Sequence, residues 1–356
     1  MVTGFDDCAT VLTDNGRFLV MNSDPKVLPW FEAPTMISTD GETHRRLRAC
    51  VSPFFTRAAV ERWQSRVVAV VDQLLEPIAA GVGAGAGAFD LIAEFTMVPT
   101  IVVAEMLGVP PERHDDFRAW SNTIVAGLAY GHEDASARGL LKKASVELNR
   151  YLRSEIERHR EERPDDLLTT MIEVADAGAM NGDEVRSAAV LLLIAGYDTT
   201  AKVLSNAVVA FEAHPDQRAL LVEDPDLMPA AIEEVLRWRA TVQAIPRQAV
   251  GDTELAGVRI EASDHIYALV AAANRDPARW PEPDRFEIRR ERRPHFGFGY
   301  GPHLCLGAPL ARLEAKIALQ GLLRLAPDYR LRDVDLGPSF FVRGPDRGLA
   351  LIANST

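Results

Sequence analysis

The sequence predicts a mainly α-helical protein with a few small β-sheets, an α+β arrangement. Three observations carry that expectation. Apolar residues recur at helical spacing through most of the first 240 residues. One capped apolar run, 181 to 214, is far too long for a strand. From 240 to 290 the texture changes to short β-type runs separated by turn residues. No repeat and no interdomain linker stands out, so residues 1–356 read as one mixed domain.

Composition bounds the function classes. The chain has 356 residues, 47% hydrophobic and 25% charged, which fits a globular protein and excludes wholesale disorder. A formal net charge of -12 argues against broad binding to nucleic acid or to anionic membranes. Cys8, Cys50 and Cys305 are an odd count at wide spacing, which suits neither a disulfide framework nor a cysteine-rich metal site. The start "MVTGFDDCATVLTDNGRFLV" has no basic region followed by a long apolar run. No uncharged stretch reaches the roughly 18 residues of a membrane span, so the expected location is the cytoplasm, without stable membrane insertion.

Taken in order, the segment 57–80 is expected as one helix ending near Pro77, and the glycine-rich 81–88 as a surface loop. Residues 89–110 and 137–164 are expected as further helices. The second of these carries Glu155 and His159 four apart among arginines, which reads as a solvated charged face. The longest helix is expected from Asn181 to His214, with Asn181 and Glu184 as a capping box and Pro215 as its stop. At 1.5 Å per residue it would span roughly 50 Å and form the axis of the domain. "AIPRQAV", "TELAGVRI" and "HIYALVAA" follow as short strands.

Within the long helix, Gly196, Asp198, Thr199 and Thr200 interrupt an otherwise apolar run. A mid-helix glycine costs about 1 kcal/mol relative to alanine, and buried polar groups cost more unless they find partners. Two accounts stay open here. The glycine permits close helix packing while the threonines bond back to the preceding turn, or the helix opens a groove where an acid and an alcohol relay protons. Further on, Glu234 and Arg237 sit at i and i+3 on one helix face, which reads as a structural ion pair.

Cys305 stands in "FGFGYGPHLCLG", directly before a helix expected near Ala308. Glycines 297, 299 and 301 alternate with Phe298 and Tyr300, a pattern that lets backbone approach something large and flat. A thiolate at a helix N-terminus is stabilised by the free amides there. His303 is near, but no general base with an orienting carboxylate is evident, so nucleophilic catalysis is poorly supported. An axial metal ligand needs no base, and a cofactor would then supply the other ligands.

With these motifs in hand the chain resembles the cytochrome P450 family, of the soluble bacterial type. Residues 298–307 fill the pattern F-G-x-G-x-H-x-C-x-G, and "GAPLARLE" follows at 307–314. Residues 195–200 match A-G-x-[DE]-T-T, and Glu234 with Arg237 match E-x-x-R. The resemblance implies the P450 fold, with its long central helix against haem b, and Cys305 as the axial iron ligand. Around Cys305 it places Phe298, Gly299 and Gly307. His44, Arg48, Arg247 and His303 become partners of the haem propionates, and Arg285 or a neighbour locks the Glu234–Arg237 pair.

Ala195 and Gly196 border the oxygen site in this reading, where Thr199 holds dioxygen and Asp198 feeds protons. The implied reaction inserts one atom of O2 into a lipophilic small molecule, by hydroxylation or epoxidation. No flavin or nicotinamide fingerprint is present, so a ferredoxin and its NAD(P)H-dependent reductase are expected as electron source. Arg45, Arg46, Arg57, Arg62, Arg66, Arg289, Arg290, Arg292 and Arg293 would offer that partner a basic patch. Substrate contacts are expected around 127–131, 191–195, 240–245 and 339–344. The resemblance also implies that the family's first helix and strands, which precede "VTGFDDCATVL" in relatives, are missing here. A peroxide-driven peroxygenase and a non-catalytic haem sensor are the alternatives. The intact Asp198–Thr199 pair argues against both.

Overall fold

A 32-residue helix, Gly182–Ala213, sets the geometry of the rest. Both bonds of its capping box form: Glu184 N–H donates to Asn181 Oδ1 and Asn181 N–H to Glu184 Oε2, each at 2.9 Å. At its far end Pro215 opens the next helix, and the His214 ring bonds the Ala210 carbonyl at 2.8 Å. By length and apolarity this helix could cross a membrane, but most of it is buried among neighbouring helices.

The computed structural model describes residues 1–21, 31–83, 89–130, 135–336 and 340–351. In chain order the helices are α1 (Phe5–Thr13), α2 (Gly41–Val51), α3 (Arg57–Glu61), α4 (Gln64–Gly83), α5 (Leu91–Phe95), α6 (Met97–Met106) and α7 (His114–Tyr130). Then come α8 (Ala135–Glu162), α9 (Leu167–Asp176), α10 (the long helix), α11 (Pro215–Glu223), α12 (Met228–Trp238), α13 (Val270–Ala273) and α14 (Ala308–Leu325). The strands are β1 (Phe18–Leu19), β2 (Phe89–Asp90), β3 (Ile245–Ala249), β4 (Thr253–Leu255), β5 (Val258–Ile260), β6 (His265–Ala268), β7 (Arg330–Asp335) and β8 (Arg347–Leu351). They form small antiparallel sheets in the orders β1-β3-β6, β2-β8-β7 and β4-β5.

Helices α6 to α9, α12 and α14 pack against α10, and their apolar faces make the main core. A second, smaller core joins α1 to the β1-β3-β6 sheet through Phe5, Cys8, Leu12, Phe18, Ile266 and Phe296. Cys8 is fully buried there, and burial pushes its thiol up to about 12, so it is a core residue.

Several segments depart from the sequence expectations. The 57–80 helix is two, broken at Arg62 and Trp63, and the second runs through Pro77 to Gly83. Pro77 removes one hydrogen bond to the Gln73 carbonyl, but both residues face water, which can take its place. Residues 84–88 of the expected loop lie outside the described residues. The 89–110 segment begins as β2; Asp90 pairs with β8 and accepts from Ala93 N–H at 3.0 Å, capping α5. "TELAGVRI" is a tight hairpin: Ala256 (φ 50°) and Gly257 (φ 76°) take the left-handed conformation its two-residue turn demands. "HIYALVAA" is strand only to Ala268, after which Val270–Ala273 form a helical turn.

The charged face of α8 is half as expected. Arg158 pairs with Glu155 and Glu162 near the surface, but His159 is fully buried. Its Nε2 meets Asp166 at 2.9 Å and its Nδ1 the Glu155 carbonyl at 2.7 Å. Asp166 also caps α9, accepting from Thr169 N–H at 2.8 Å, so His159 pins two helices together.

Candidate active site

One cavity of about 420 Å³ lies between α10 and the loop that carries Cys305. The loop owes its shape to left-handed turns at Gly299 (φ 74°) and Gly301 (φ 71°). A Cβ on Gly301 would stand 2.8 Å from the Leu12 carbonyl oxygen, so glycine is also what lets α1 press on the loop. Cys305 N–H donates to the Phe298 carbonyl at 2.8 Å, closing the loop on itself. Cys305 lines the cavity, and its exposed surface opens there.

Burial raises the Cys305 thiol, while the Gly307 and Ala308 amides and the Arg48 and Arg312 guanidinium groups act the other way. The amides that reach the sulfur thus come from the start of α14, beyond the alternating glycines. Beneath Phe298, the Arg312 guanidinium stacks 4.5 Å from the ring centroid and pairs with Glu233 at 2.6 Å. Glu233 also meets His295 at 3.2 Å, and the other nitrogen of His295 accepts from Gly297 N–H at 3.0 Å. Burial raises the Glu233 carboxyl, but the bonds from His295 and Arg312 outweigh it and hold the group at about 2. Sequence reasoning missed this support, because Glu233, His295 and Arg312 have no common spacing.

At one end of the cavity Arg48, Arg247 and His303 line the wall, and His303 is in contact with both His44 and Asp40. His303 Nε2 bonds Asp40 at 2.9 Å, and the two imidazole centroids are 4.3 Å apart. Arg48 donates to the Leu304 carbonyl at 2.7 Å and Arg247 to that of Pro246 at 2.9 Å. Burial, then His303 and Arg48, push the His44 imidazole down to about 4. Burial likewise lowers Arg247, with Asp40 opposing. Among the described residues, His44 Nε2 and Arg247 Nε are buried without a hydrogen-bond partner. Asp40, which also accepts from Val20 N–H at 2.7 Å, was not singled out from sequence; its signal was a helix-capping residue just before α2.

The opposite wall is α10. Ala195, Gly196, Thr199 and Thr200 all line the cavity. Thr199 Oγ1 donates to the Ala195 carbonyl at 2.6 Å, the back-bond one of the two sequence accounts foresaw. A Cβ on Gly196 would meet Val103 Cγ2 at 2.7 Å, so the glycine brings α6 and α10 together. Close packing and a polar groove therefore coexist. Asp198 is half-buried; desolvation raises its carboxyl and Lys202, one turn on, opposes that rise.

Leu191, Leu192, Thr241, Val242, Ala244 and Ile245 line the same cavity, as the expected substrate windows have it, and Met36, Ile37, Met106 and Leu167 add to it. Of the other windows, Gly131 and Ser339 lie outside the described residues. Val342 contacts the wall indirectly, through an antiparallel bridge to Val242.

Glu234 and Arg237 form a buried two-bond pair at 2.7 and 2.8 Å. Arg237 also donates to the carbonyls of Asn274, Pro283 and Arg285. The third basic side chain is Arg290, 3.2 Å from Glu234, while Arg285 gives only its carbonyl and turns its own guanidinium to Glu282 and Glu287. The basic patch is weaker than expected. Arg46 pairs with Glu184, Arg57 with Glu61, Arg66 with Glu105, Arg290 with Glu234 and Arg293 with Glu291.

These features fit an iron porphyrin. Cys305, backed by two amides, faces a mostly apolar cavity whose lining includes the guanidinium groups of Arg48 and Arg247, and the buried Arg247 Nε has no partner among the described residues.

Comparison with known proteins agrees. The family model described as cytochrome P450 matches residues 132–325. Vitamin D(3) 25-hydroxylase of Pseudonocardia autotrophica is 39% identical, over 85% of this chain and 73% of its own length. Mycinamicin IV hydroxylase/epoxidase of Micromonospora griseorubida is 35% identical, over 93% of this chain and 83% of its own. The crystal structure of P450BioI in complex with hexadec-9Z-enoic acid ligated acyl carrier protein superimposes with a TM-score of 0.90 at 31% identity. That match covers 99% of this chain and 91% of the other.

Proposed function

The chain belongs to the cytochrome P450 family and is a monooxygenase; from that premise we propose that it hydroxylates or epoxidises a lipophilic small molecule, with Cys305 as haem ligand. The observation that carries the reading is one cavity lined both by Cys305 and by Thr199 of the facing helix. Residues 1–356 act as one domain in this reading, in the cytoplasm, with a ferredoxin and its NAD(P)H-dependent reductase as electron source. Relatives named as a mycinamicin IV hydroxylase/epoxidase and a vitamin D(3) 25-hydroxylase support the reaction class, and the apolar cavity lining supports the substrate class.

When bound, the haem supplies dioxygen activation and the insertion chemistry. The chain's own residues do the rest. Cys305 Sγ holds the iron, and the Gly307 and Ala308 amides draw charge from the sulfur. His44, Arg48, Arg247 and His303 receive the propionates, for which the free Nε2 of His44 is available. Thr199 can turn its hydroxyl from the Ala195 carbonyl into the cavity, and Asp198 on the same helix moves protons toward it. Leu191, Leu192, Val242 and Ile245 exclude water and accept an apolar substrate.

The test is a carbon-monoxide difference spectrum of the reduced protein, followed by titration with a lipophilic library. A thiolate-type Soret band and displacement of the iron's water by apolar compounds are expected. A band of the imidazole or unligated type would reject Cys305 ligation.

A further inference from the structure

Two polar side chains of α10 take no part in the chemistry above, yet both are almost sealed from water. Lys202 is 6% exposed and Asn206 is 1% exposed. Four residues apart, they share one face of the helix. Asn206 Nδ2 donates to the Arg343 carbonyl at 3.0 Å and to the Arg239 carbonyl at 3.3 Å, while its Oδ1 accepts from Arg239 Nε at 2.8 Å. Lys202 Nζ donates to the Pro345 carbonyl at 3.3 Å and forms an ion pair with Asp346. Gly344 lets the chain come this close: a Cβ there would stand 2.9 Å from Lys202 Cδ and 3.3 Å from Asn206 Nδ2.

The segment held in this way, 341–346, is what one wall of the cavity leans on. Arg343 N–H donates to the Thr241 carbonyl at 2.8 Å and Gln243 N–H to the Phe341 carbonyl at 2.9 Å, with Val342 bridged to Val242. Thr241, Val242, Ala244 and Ile245 line the cavity. So short a ladder is marginal in water by itself. Phe340 and Phe341 are 65% and 48% exposed, so burial of their rings adds little to it. The buried part is Gly344 and Pro345, and these are the residues that meet α10. We propose that Lys202 and Asn206 are positioning residues for the apolar wall. By fixing 341–346 to α10 they set how far Thr241–Ile245 stands from that helix, and so which apolar shapes the cavity accepts. The inference deepens the lipophilic-substrate reading and rests on it. A buried polar group is costly until it is paired. These two direct their bonds largely at backbone carbonyls, which fixes the path of the chain rather than the identity of its side chains.

The experiment uses the haem-loaded protein and its Lys202→Met, Asn206→Leu, Asp346→Ala and Gly344→Ala variants, with imidazole and 4-phenylimidazole as probes. Both bind the iron through nitrogen, but only the second carries a ring that must fit against an apolar wall. Soret titration is expected to give the parent's imidazole affinity in every variant and 4-phenylimidazole affinity about tenfold weaker in Lys202→Met and Asn206→Leu. Hydrogen exchange of the Gln243 and Arg343 amides should be about tenfold faster in the same variants. Asp346→Glu, which keeps the charge, should return both values to the parent's. If the buried variants do not fold, Asp346→Ala and Gly344→Ala decide the matter. The first loses a carboxylate at the surface, and the second moves the segment off the helix with both polar side chains intact. An affinity ratio and exchange rates equal to the parent's, even beside a lower melting temperature, would overturn the proposal. If the parent itself shows no Soret shift with imidazole, the haem reading of the cavity falls, and this inference with it. A parent that binds both probes beside variants with its own ratio overturns only the inference.

Discussion

Cys305 and Thr199 face one cavity from opposite walls, and each supports a prediction that the other cannot explain. Cys305→Ala removes the sulfur that the Gly307 and Ala308 amides address, so the thiolate-type Soret signature should vanish. Cys8→Ala and Cys50→Ala should keep it, since Cys8 is sealed in the α1 core and the Cys50 thiol points to the Arg46 carbonyl. A thiolate spectrum surviving in the Cys305 variant would reject the assignment. Thr199→Ala leaves the apolar walls intact, so substrate affinity should hold while product per reducing equivalent falls and peroxide rises. Asp198→Asn should slow turnover, because an amide cannot carry a proton toward the cavity. Coupling measured with a saturating substrate checks both, and unchanged values would leave the pair as helix packing alone.

At the scale of elements, what was legible in the sequence followed from local physics. The α10 ends were readable to the residue because a capping box and a following proline act within one turn. The cysteine loop was readable because its glycines, rings and histidine are consecutive. Elements decided by distant partners were not. Phe89–Asp90 becomes strand only because β8 lies beside it, and His159 is buried only because Asp166 comes round to meet it. The third basic partner of Glu234 is another such case, since Arg290 is 56 positions away and reaches it through an irregular loop. That loop converges on α12: Glu287 N–H and Arg290 both bond Glu234, and Arg237 binds three carbonyls. Glu234→Ala would leave the buried Arg237 guanidinium, and the partly buried Arg290 beside it, without their counter-charge, at a cost of about 3–5 kcal/mol. Haem-poor or insoluble protein is the expected outcome, read by haem content and thermal unfolding. A stable, haem-replete variant that fails only in turnover would give Glu234 a chemical role instead.

Over the whole molecule, the partly buried Glu233 and the fully buried Glu314 pull the pH dependence of stability in opposite directions. Glu233, under Phe298, is held at about 2 against an ordinary 4.5, so its folded value is depressed. Its stabilisation is present above the unfolded value and is lost as pH falls from about 4.5 through 2. Glu314, on α14 against the cavity, is 1% exposed with Oε1 unpartnered among the described residues, and burial pushes it up to about 8. A raised folded value has the reverse sign. The neutral carboxyl costs little below about 4.5, and stability drains away as pH rises from there through about 8. Each effect is on the order of a few kcal/mol, larger than a typical surface pair. Glu314→Gln should therefore match the parent near pH 4 to 5 and become progressively more stable than it up to about pH 8, where the gap levels off. Glu233→Gln should be less stable than the parent near neutrality, with the gap closing toward about pH 2. Thermal unfolding of both variants across that range, in the haem-loaded protein, reads the two slopes separately. Curves parallel to the parent's throughout would mean that neither carboxyl titrates differently on folding, and that the packing around α14 leaves both groups open to water.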